Sequence, residues 1–367
     1  MKDVLVFGEN LAYMFGGAER STYLLIRQLE SRQEFRVSTA SCTWRHLKGT
    51  MDRYSYEGLD EIPCVRYRRL PNLRFVANHG RIARYFREAS ASILLANSKA
   101  GAIAVNHFDG PSLFFIHDET NLNIRRDYRT NLSSRVRNIG QRVLDFPCFA
   151  AFSHMNRQAM RKATVIANSQ YMADRARDVF GIEAVVAYPQ VDVLGLSSNE
   201  LPPAADRPYI IMVGDSELKG ADTFRKLALI MPQHQFMMVG RSLGEPVRRD
   251  NLTERGFVQD PLDIYREARV VLMPSKCEEG FGMVSVEAGA LGIPAVVSRR
   301  GGLPETVPTE DCVVSDYANP REWAKRIETV LADYDRYSAA AAERARELDM
   351  RRQTDVIVEV IERATSA

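Results

Sequence analysis

No apolar run in the 367-residue sequence approaches the roughly 20 residues that a bilayer-spanning helix requires, which argues against a membrane-spanning chain. The opening residues run into a strand-like VLVFG and lack the charged start, apolar stretch and small-residue cleavage site of a secretory signal. The five cysteines (Cys42, Cys64, Cys148, Cys277 and Cys312) show no CxxC or Cys/His metal spacing, so buried thiols in a reducing cytosol are expected. Repeats of solenoid period and low-complexity tracts are absent as well. GxGxxG is missing after the first apolar run, where the sequence reads GENLAYMFGG, and this speaks against a nicotinamide dehydrogenase.

What is present fits an ordinary globular chain long enough for two domains, with 45% hydrophobic and 26% charged residues. The net charge of +2 conceals an asymmetry. Residues 1–190 hold 27 Lys/Arg against 18 Asp/Glu, a net of +9, whereas 191–367 hold 22 against 29, a net of −7. A basic first half points to an anionic partner: nucleic acid, a membrane surface or a phosphorylated acceptor.

Short β-rich runs alternate with longer amphipathic stretches, the pattern of parallel sheets with crossover helices. Strands are predicted at 4–8, 35–39, 93–96, 113–116, 164–167 and 184–187, with helices at 17–29 and 169–180, the latter closed by Gly181. The periodicity lapses between Gln190 and Pro208, which reads as a linker. Alternation then restarts, with strands at 209–213, 235–239, 269–273 and 295–298, and helices at 221–230, 261–268, 282–291 and 320–333. The last thirty or so residues are Ala/Glu/Arg-rich and helical. The expected fold is α/β, with two Rossmann-like domains facing each other across a cleft, and ligands at the carboxyl ends of the strands. The expected boundaries are 1–190 and 191–349, with a helix at 350–367 joining the first domain.

The most informative stretch is VVLMPSKCEEGFGMVSVEAGALGIPAVVSRRGGLPE, from Val270 to Glu305. A buried strand ends at Pro274, a polar loop follows, and Gly280-Phe281-Gly282 opens a helix whose free backbone N–H groups form an anion site. Glu279 precedes the helix and Glu287 lies eight residues further on. Facing one cleft, two such carboxylates suit sugar hydroxyls and a ribose diol. Taken alone, they read as a solvated loop charge and an exposed helix residue.

In this context the chain resembles the retaining GT-B glycosyltransferases, specifically glycosyltransferase family 4. Glu279 and Glu287 match the family's Glu-x7-Glu signature within PSKCEEGFGMVSVEAGALGIPAV. Further pieces occur in the family's order: GGAER at Gly16–Arg20, FFIHDE around His117, VIANSQYMAD at Val165–Asp174, VGDSELKG at Val213–Gly220, GFVQD at Gly256–Asp260 and GGLPE at Gly301–Glu305.

The resemblance implies transfer of a hexose-type sugar from a UDP- or GDP-linked donor to a glycan or lipid-linked saccharide, with retention at the anomeric carbon. Glu279 is then expected on the donor sugar and Glu287 on the ribose. Gly280 and the amides of Phe281, Gly282, Met283 and Val284 would cradle sugar and diphosphate, and Val258 would meet the base. Gly16 and Gly17 would let backbone approach the phosphates without a Cβ, and His117 would touch donor or acceptor. Lys219, between a strand and a helix, is the main catalytic candidate, because a fixed cation stabilises a departing diphosphate more than the ground state. No Asp-x-Asp pair stands in a context suited to a metal-bound diphosphate, so neither a metal nor another cofactor is expected. The family commonly places Arg after the Val-Gly of the second domain's first strand, where this chain has Asp215. Arg241 or Arg20 is the expected substitute, and a catalytically silent sugar-nucleotide-binding partner of another transferase stays open as the alternative. A different enzyme on the same fold, such as a nucleotide-sugar epimerase, fits the Glu279/Glu287 context less well.

Between Arg66 and Arg87 the sequence holds seven Arg and no acidic residue, interleaved with aromatics, and a second basic run spans Arg135–Arg142. The second half of the first run reads as a basic amphipathic helix. Docking on an anionic membrane surface is the expectation, against a merely solvated face. Nucleic acid ranks last for want of any recognisable module. The corresponding location is cytoplasmic, peripheral on the inner face of the membrane.

Overall fold

The computed structural model describes residues 1–13, 16–42, 54, 56, 58–65, 72–122, 132–256, 258 and 260–366, with only the backbone of 132–142. It divides into two compact units, Met1–Gln190 with Gln353–Ala367, and Val191–Arg352.

The first unit contains β1 (Lys2–Glu9), α1 (Gly17–Glu30), β2 (Phe35–Cys42), β3 (Asp60–Ile62), α2 (Leu73–Glu88), β4 (Ile93–Asn97), α3 (Gly101–His107), β5 (Ser112–Ile116), α4 (Leu132–Lys162), β6 (Thr164–Ala167), α5 (Gln170–Phe180) and β7 (Ala184–Val186). All seven strands pair in parallel, in the order β3-β2-β1-β4-β5-β6-β7. The two-residue period of a strand sorts side chains to opposite faces. Leu5, Phe7, Leu94, Ala96, Phe114 and Ile116 join the core with α2, α3 and α4. Val4, Val6, Ile93, Leu95, Leu113 and Phe115 face a second core with α1. Burial on both faces explains why these strands read as continuous apolar runs. Ser169 caps α5 by accepting from the Met172 N–H at 3.1 Å, and Gly181 closes it at φ 67°.

The second unit contains α6 (Val193–Ser197), β8 (Tyr209–Val213), α7 (Ala221–Ile230), β9 (Gln235–Gly240), β10 (Val247–Arg249), β11 (Leu252–Gly256), α8 (Leu262–Tyr265), β12 (Ala268–Met273), α9 (Met283–Ala290), β13 (Ala295–Ser298), β14 (Val313–Val314), α10 (Pro320–Ala332) and α11 (Tyr334–Glu347). Its strand order is β10-β11-β9-β8-β12-β13-β14, parallel except for the β10–β11 pair. One core holds the unit together, with Trp323 of α10 fully buried in it. The helical region after Ser338 breaks at Leu348 and resumes as α12 (Met350–Ser366). The last part of α12 returns to the first unit, where Ile357, Val358, Val360 and Ile361 complete the core beside Val4 and Val6.

The basic amphipathic helix is α2, and its apolar side is already used. Phe75, Ile82, Ala83 and Phe86 are buried in the first unit's own core, so this helix has no apolar face left for a bilayer. Arg66–Arg69 lie outside the described residues, as do the side chains of Arg135–Arg142.

Candidate functional site

In the second unit, the loops following β8 and β12 are fastened to one another. Gly220 has φ 91°, and a Cβ there would stand 2.0 Å from the Pro274 carbonyl oxygen, so only glycine lets the β8 loop close on the end of β12. The Lys276 N–H donates to the Leu218 carbonyl at 2.8 Å, and the Lys276 carbonyl accepts from Arg300 at 2.8 and 3.0 Å. Ser298 Oγ donates to the Ser275 carbonyl at 2.8 Å. Gly301, at φ 60°, brings backbone so near Glu279 that a Cβ would meet its carbonyl oxygen at 2.0 Å, while the Gly302 N–H donates to that oxygen at 2.8 Å.

This scaffold holds Lys219 and Glu279 in contact. Lys219 Nζ donates to both carboxylate oxygens of Glu279, at 2.6 and 2.7 Å. Ser275 Oγ donates to Glu279 Oε1 at 2.5 Å, and the Cys277 thiol lies 3.8 Å from the same oxygen. Burial, followed by the Glu279 charge, raises the Cys277 thiol to about 11, so it stays protonated beside the carboxylate. Glu279 is 14% exposed and Lys219 43%, so the ammonium reaches solvent while its partner is held inside. An ammonium has three N–H donors and this pair uses two.

Glu287 is buried at 5% exposure and accepts from the Tyr265 hydroxyl at 2.8 Å. It is therefore not the exposed helix residue that the bare sequence permits. Phe281 and Gly282 are buried at the start of α9, with Met283 and Val284 half-buried after them. Gly282 brings no capping side chain, and first-turn N–H groups have no intrahelical partner. Val258 is half-buried against the unit's core, and Arg241 is exposed on the turn after β9.

Asp215 turns toward that same turn. Its Oδ2 accepts from the Ser242 N–H at 2.7 Å and from the Ser242 hydroxyl. Burial acts to raise the carboxyl, but hydrogen bonds from Ser242 and from backbone N–H groups outweigh it and hold it below the usual carboxylate range.

The other sequence candidates belong to the first unit. Gly16 and Gly17 stand at the start of α1, where a Cβ on Gly16 would make only an ordinary contact with Glu19. His117 lines a cavity of about 420 Å³ with Glu9, Thr22, Arg74, Asn97 and Lys99. Its Nε2 is buried without a hydrogen-bond partner among the described residues. Burial lowers its pKa to about 4, only partly offset by Asp118, so the ring is neutral at ordinary pH. The loop around it is fixed by Asn121 Oδ1, which accepts from the His117 N–H at 2.8 Å, and by Asn168, which donates to the His117 carbonyl at 2.8 Å.

Tyr265, Ser275 and Arg300 escaped the sequence reading. Ser275 stood just before the signature glutamate, in PSKCEEGFG, whereas nothing in PLDIYREA marked Tyr265 as the partner of a carboxylate twenty-two residues away.

Residues 15–193 match the family model described as Glycosyltransferase Family 4, and residues 207–333 match that described as Glycosyl transferases group 1. The chain belongs to glycosyltransferase family 4. A D-inositol 3-phosphate glycosyltransferase of Xylanimonas cellulosilytica is 32% identical over 156 residues, covering 37% of each protein. Among such curated relatives the matches span 16% to 37% of the relative's length. Sucrose-phosphate synthase from Thermosynechococcus elongatus superimposes with a TM-score of 0.74 at 16% identity, over 99% of both chains. Alr3699/HepE of Anabaena, solved with UDP and glucose, does so at 0.68 and 18% identity, over 99% of this chain and 100% of its own. The fold of this family 4 chain is thus GT-B, with two Rossmann-like domains. Among its described residues, no helix is long and apolar enough to cross a membrane.

Proposed function

We propose that the protein transfers a hexose-type sugar from a nucleotide diphosphate donor, UDP- or GDP-linked, to a glycan or lipid-linked saccharide, retaining the anomeric configuration. The observation that carries this reading is the Lys219–Glu279 pair, fixed between two strand ends and followed by α9 with the buried Glu287. Glu279 holds donor hydroxyls, and the third Nζ–H of Lys219 meets the leaving diphosphate. Negative charge grows on that group as the glycosidic bond breaks, so a cation already held in position lowers the barrier. The Met283 and Val284 amides add hydrogen bonds to the same charge, and no metal is required for this role. Glu287, oriented by Tyr265, takes the ribose diol. Gly280, Phe281, Gly282, Val258 and Arg241 complete the donor contacts of the second domain, and Gly16, Gly17 and His117 are the first domain's own candidates for substrate contact. A neutral His117 with an uncommitted buried Nε2 suits a hydrogen bond to a sugar hydroxyl better than acid catalysis.

UDP in the Anabaena neighbour supports a UDP-linked donor. Calorimetric titration with UDP, GDP, dTDP and ADP, with and without EDTA, tests the donor site: micromolar, EDTA-insensitive binding of one nucleotide is expected. No binding of any would overturn the donor assignment. Asp215 motivates the rival reading of a silent partner, but its carboxylate is committed to Ser242, which weakens the case for repulsion of a diphosphate. Tight binding without sugar transfer to any acceptor tried would favour that rival.

The acceptor side is proposed to work at the cytoplasmic face of an anionic membrane. With α2 committed to the core, the support shifts to α4, where Val143, Leu144 and Phe146 are 67%, 71% and 62% exposed just after the Arg135–Arg142 run. Co-sedimentation with anionic but not neutral vesicles is expected; equal recovery with both refutes it.

A further inference from the structure

A pair of cysteines in the first unit has no part in the proposed transfer. Cys42 closes β2 and Cys64 follows β3, and the two thiols are hydrogen-bonded to one another. In the β2–β3 ladder Cys42 stands opposite Ile62, with Cys64 two residues on. Cys42 is fully buried, whereas Cys64 is half-buried. The neighbouring backbone is tied on both sides: Asn78 of α2 accepts from the Val65 N–H at 2.8 Å and donates to the Val65 carbonyl at 2.7 Å.

The pair also adjoins a built cavity. Cys42 stands opposite Glu9 in the β1–β2 ladder, and its carbonyl accepts from the Asn10 N–H at 3.0 Å. Glu9 lines the 420 Å³ cavity, accepts from the Ala100 N–H at 2.9 Å and pairs with Arg74 at 3.4 Å. We propose that Cys42 and Cys64 form a reversible disulfide by exchange with a small-molecule disulfide such as oxidised glutathione, closing a covalent loop at the wall of this cavity.

The two sulfurs have different parts. The hydrogen bond from Cys42 holds the Cys64 thiol below its ordinary range, against the opposing effect of burial, and Arg81 adds to the lowering. Burial pushes the Cys42 thiol up. The Cys64 thiolate is thus the accessible nucleophile. It attacks one sulfur of oxidised glutathione, forming a mixed disulfide and releasing one glutathione thiolate. Cys42 then loses its proton to solvent, and its sulfur attacks Cys64 Sγ, forming the internal bond and expelling the second glutathione. One glutathione disulfide is reduced and two protein thiols are oxidised, so the exchange balances without another reagent.

The test uses the full chain equilibrated with oxidised glutathione, then acid-quenched, unfolded and titrated for thiols. The expected count falls from the five of the reduced chain by two, dithiothreitol restores it, and peptide mapping joins Cys42 to Cys64. C42A is expected to stop at a stable glutathione adduct on Cys64. C64S, at the less buried position, is expected to retain its four remaining thiols under the same treatment. Five thiols after oxidation, a bond mapped to another pair, or loss of two thiols in C64S would each overturn the proposal.

Discussion

Replacing Lys219 with Ala separates the electrostatics of the site from the stability of the fold. The ion pair with Glu279 is bidentate, but Lys219 is 43% exposed, so solvent screens its contribution. Pairs of that exposure contribute about 0.2–1 kcal/mol. Glu279 keeps the Ser275 hydroxyl at 2.5 Å, which limits the cost of leaving its carboxylate without the cation. Urea denaturation should therefore show a loss of about 1 kcal/mol or less. Turnover should respond far more strongly, because removing one donor aimed at developing charge typically costs about 10²- to 10³-fold in kcat. The assay is release of nucleoside diphosphate from the donor identified by calorimetry, at saturating donor, for wild type, K219A and K219R. K219R should recover part of the loss by keeping the charge while altering its geometry. Turnover of K219A within threefold of wild type, with an unchanged urea midpoint, would refute the role given to Lys219.

Other perturbations read other parts of the site. Gly301→Ala forces a Cβ to 2.0 Å from the Glu279 carbonyl at φ 60°, so denaturation should show a loss of about 1–3 kcal/mol with turnover falling too; an unchanged midpoint would contradict the close approach. Tyr265→Phe removes the hydroxyl donated to the buried Glu287, so nucleoside diphosphate affinity should weaken several-fold while the fold persists, and unchanged affinity counts against the ribose role. For His117 the folded pKa of about 4 lies below the ordinary 6.5, so only the unfolded chain takes up this proton between those values. Its contribution is fully present above pH 6.5 and is lost as pH falls toward 4, at no more than about 1.4 kcal/mol per pH unit. His117→Gln should flatten the stability profile in that window, and an identical slope would sink the assignment.

The first sheet was legible because both of its faces are covered: Val4, Val6, Leu5 and Phe7 all had to be apolar, and Gly181 had to end α5. Short edge strands left no such trace. In β10, Val247–Arg249 is exposed at every residue, and in β3 only Ile62 is buried, so neither carries a hydrophobic pattern. Similarly, the amphipathic pattern of α2 was visible, but sequence cannot say whether Phe75 and Phe86 meet lipid or their own core. Lys219, Glu279 and Glu287 stood out through their motifs, yet their partners did not. Tyr265 and Ser275 act through pairings made by the fold, and the short range of a hydrogen bond leaves no periodic signal along a chain. The Cys42–Cys64 contact is of the same kind, since widely spaced cysteines carry no signature until adjacent strands bring them together.

The return of α12 to the first unit sets an order of events during synthesis. On the ribosome, residues 1–190 emerge with all seven strands of their sheet, but the core beside Val4 and Val6 still lacks Ile357, Val358, Val360 and Ile361. The second unit, an uninterrupted stretch from Val191 to Arg352, has its whole core available before that gap is filled. Apolar surface on one side of the first sheet therefore waits in water through the translation of more than 150 residues, an interval of about 10–30 s at ordinary elongation rates. The domain made first is the domain finished last, and a nascent chain stalled between residues 190 and 357 presents a sheet face that α1 covers only in part to any chaperone within reach.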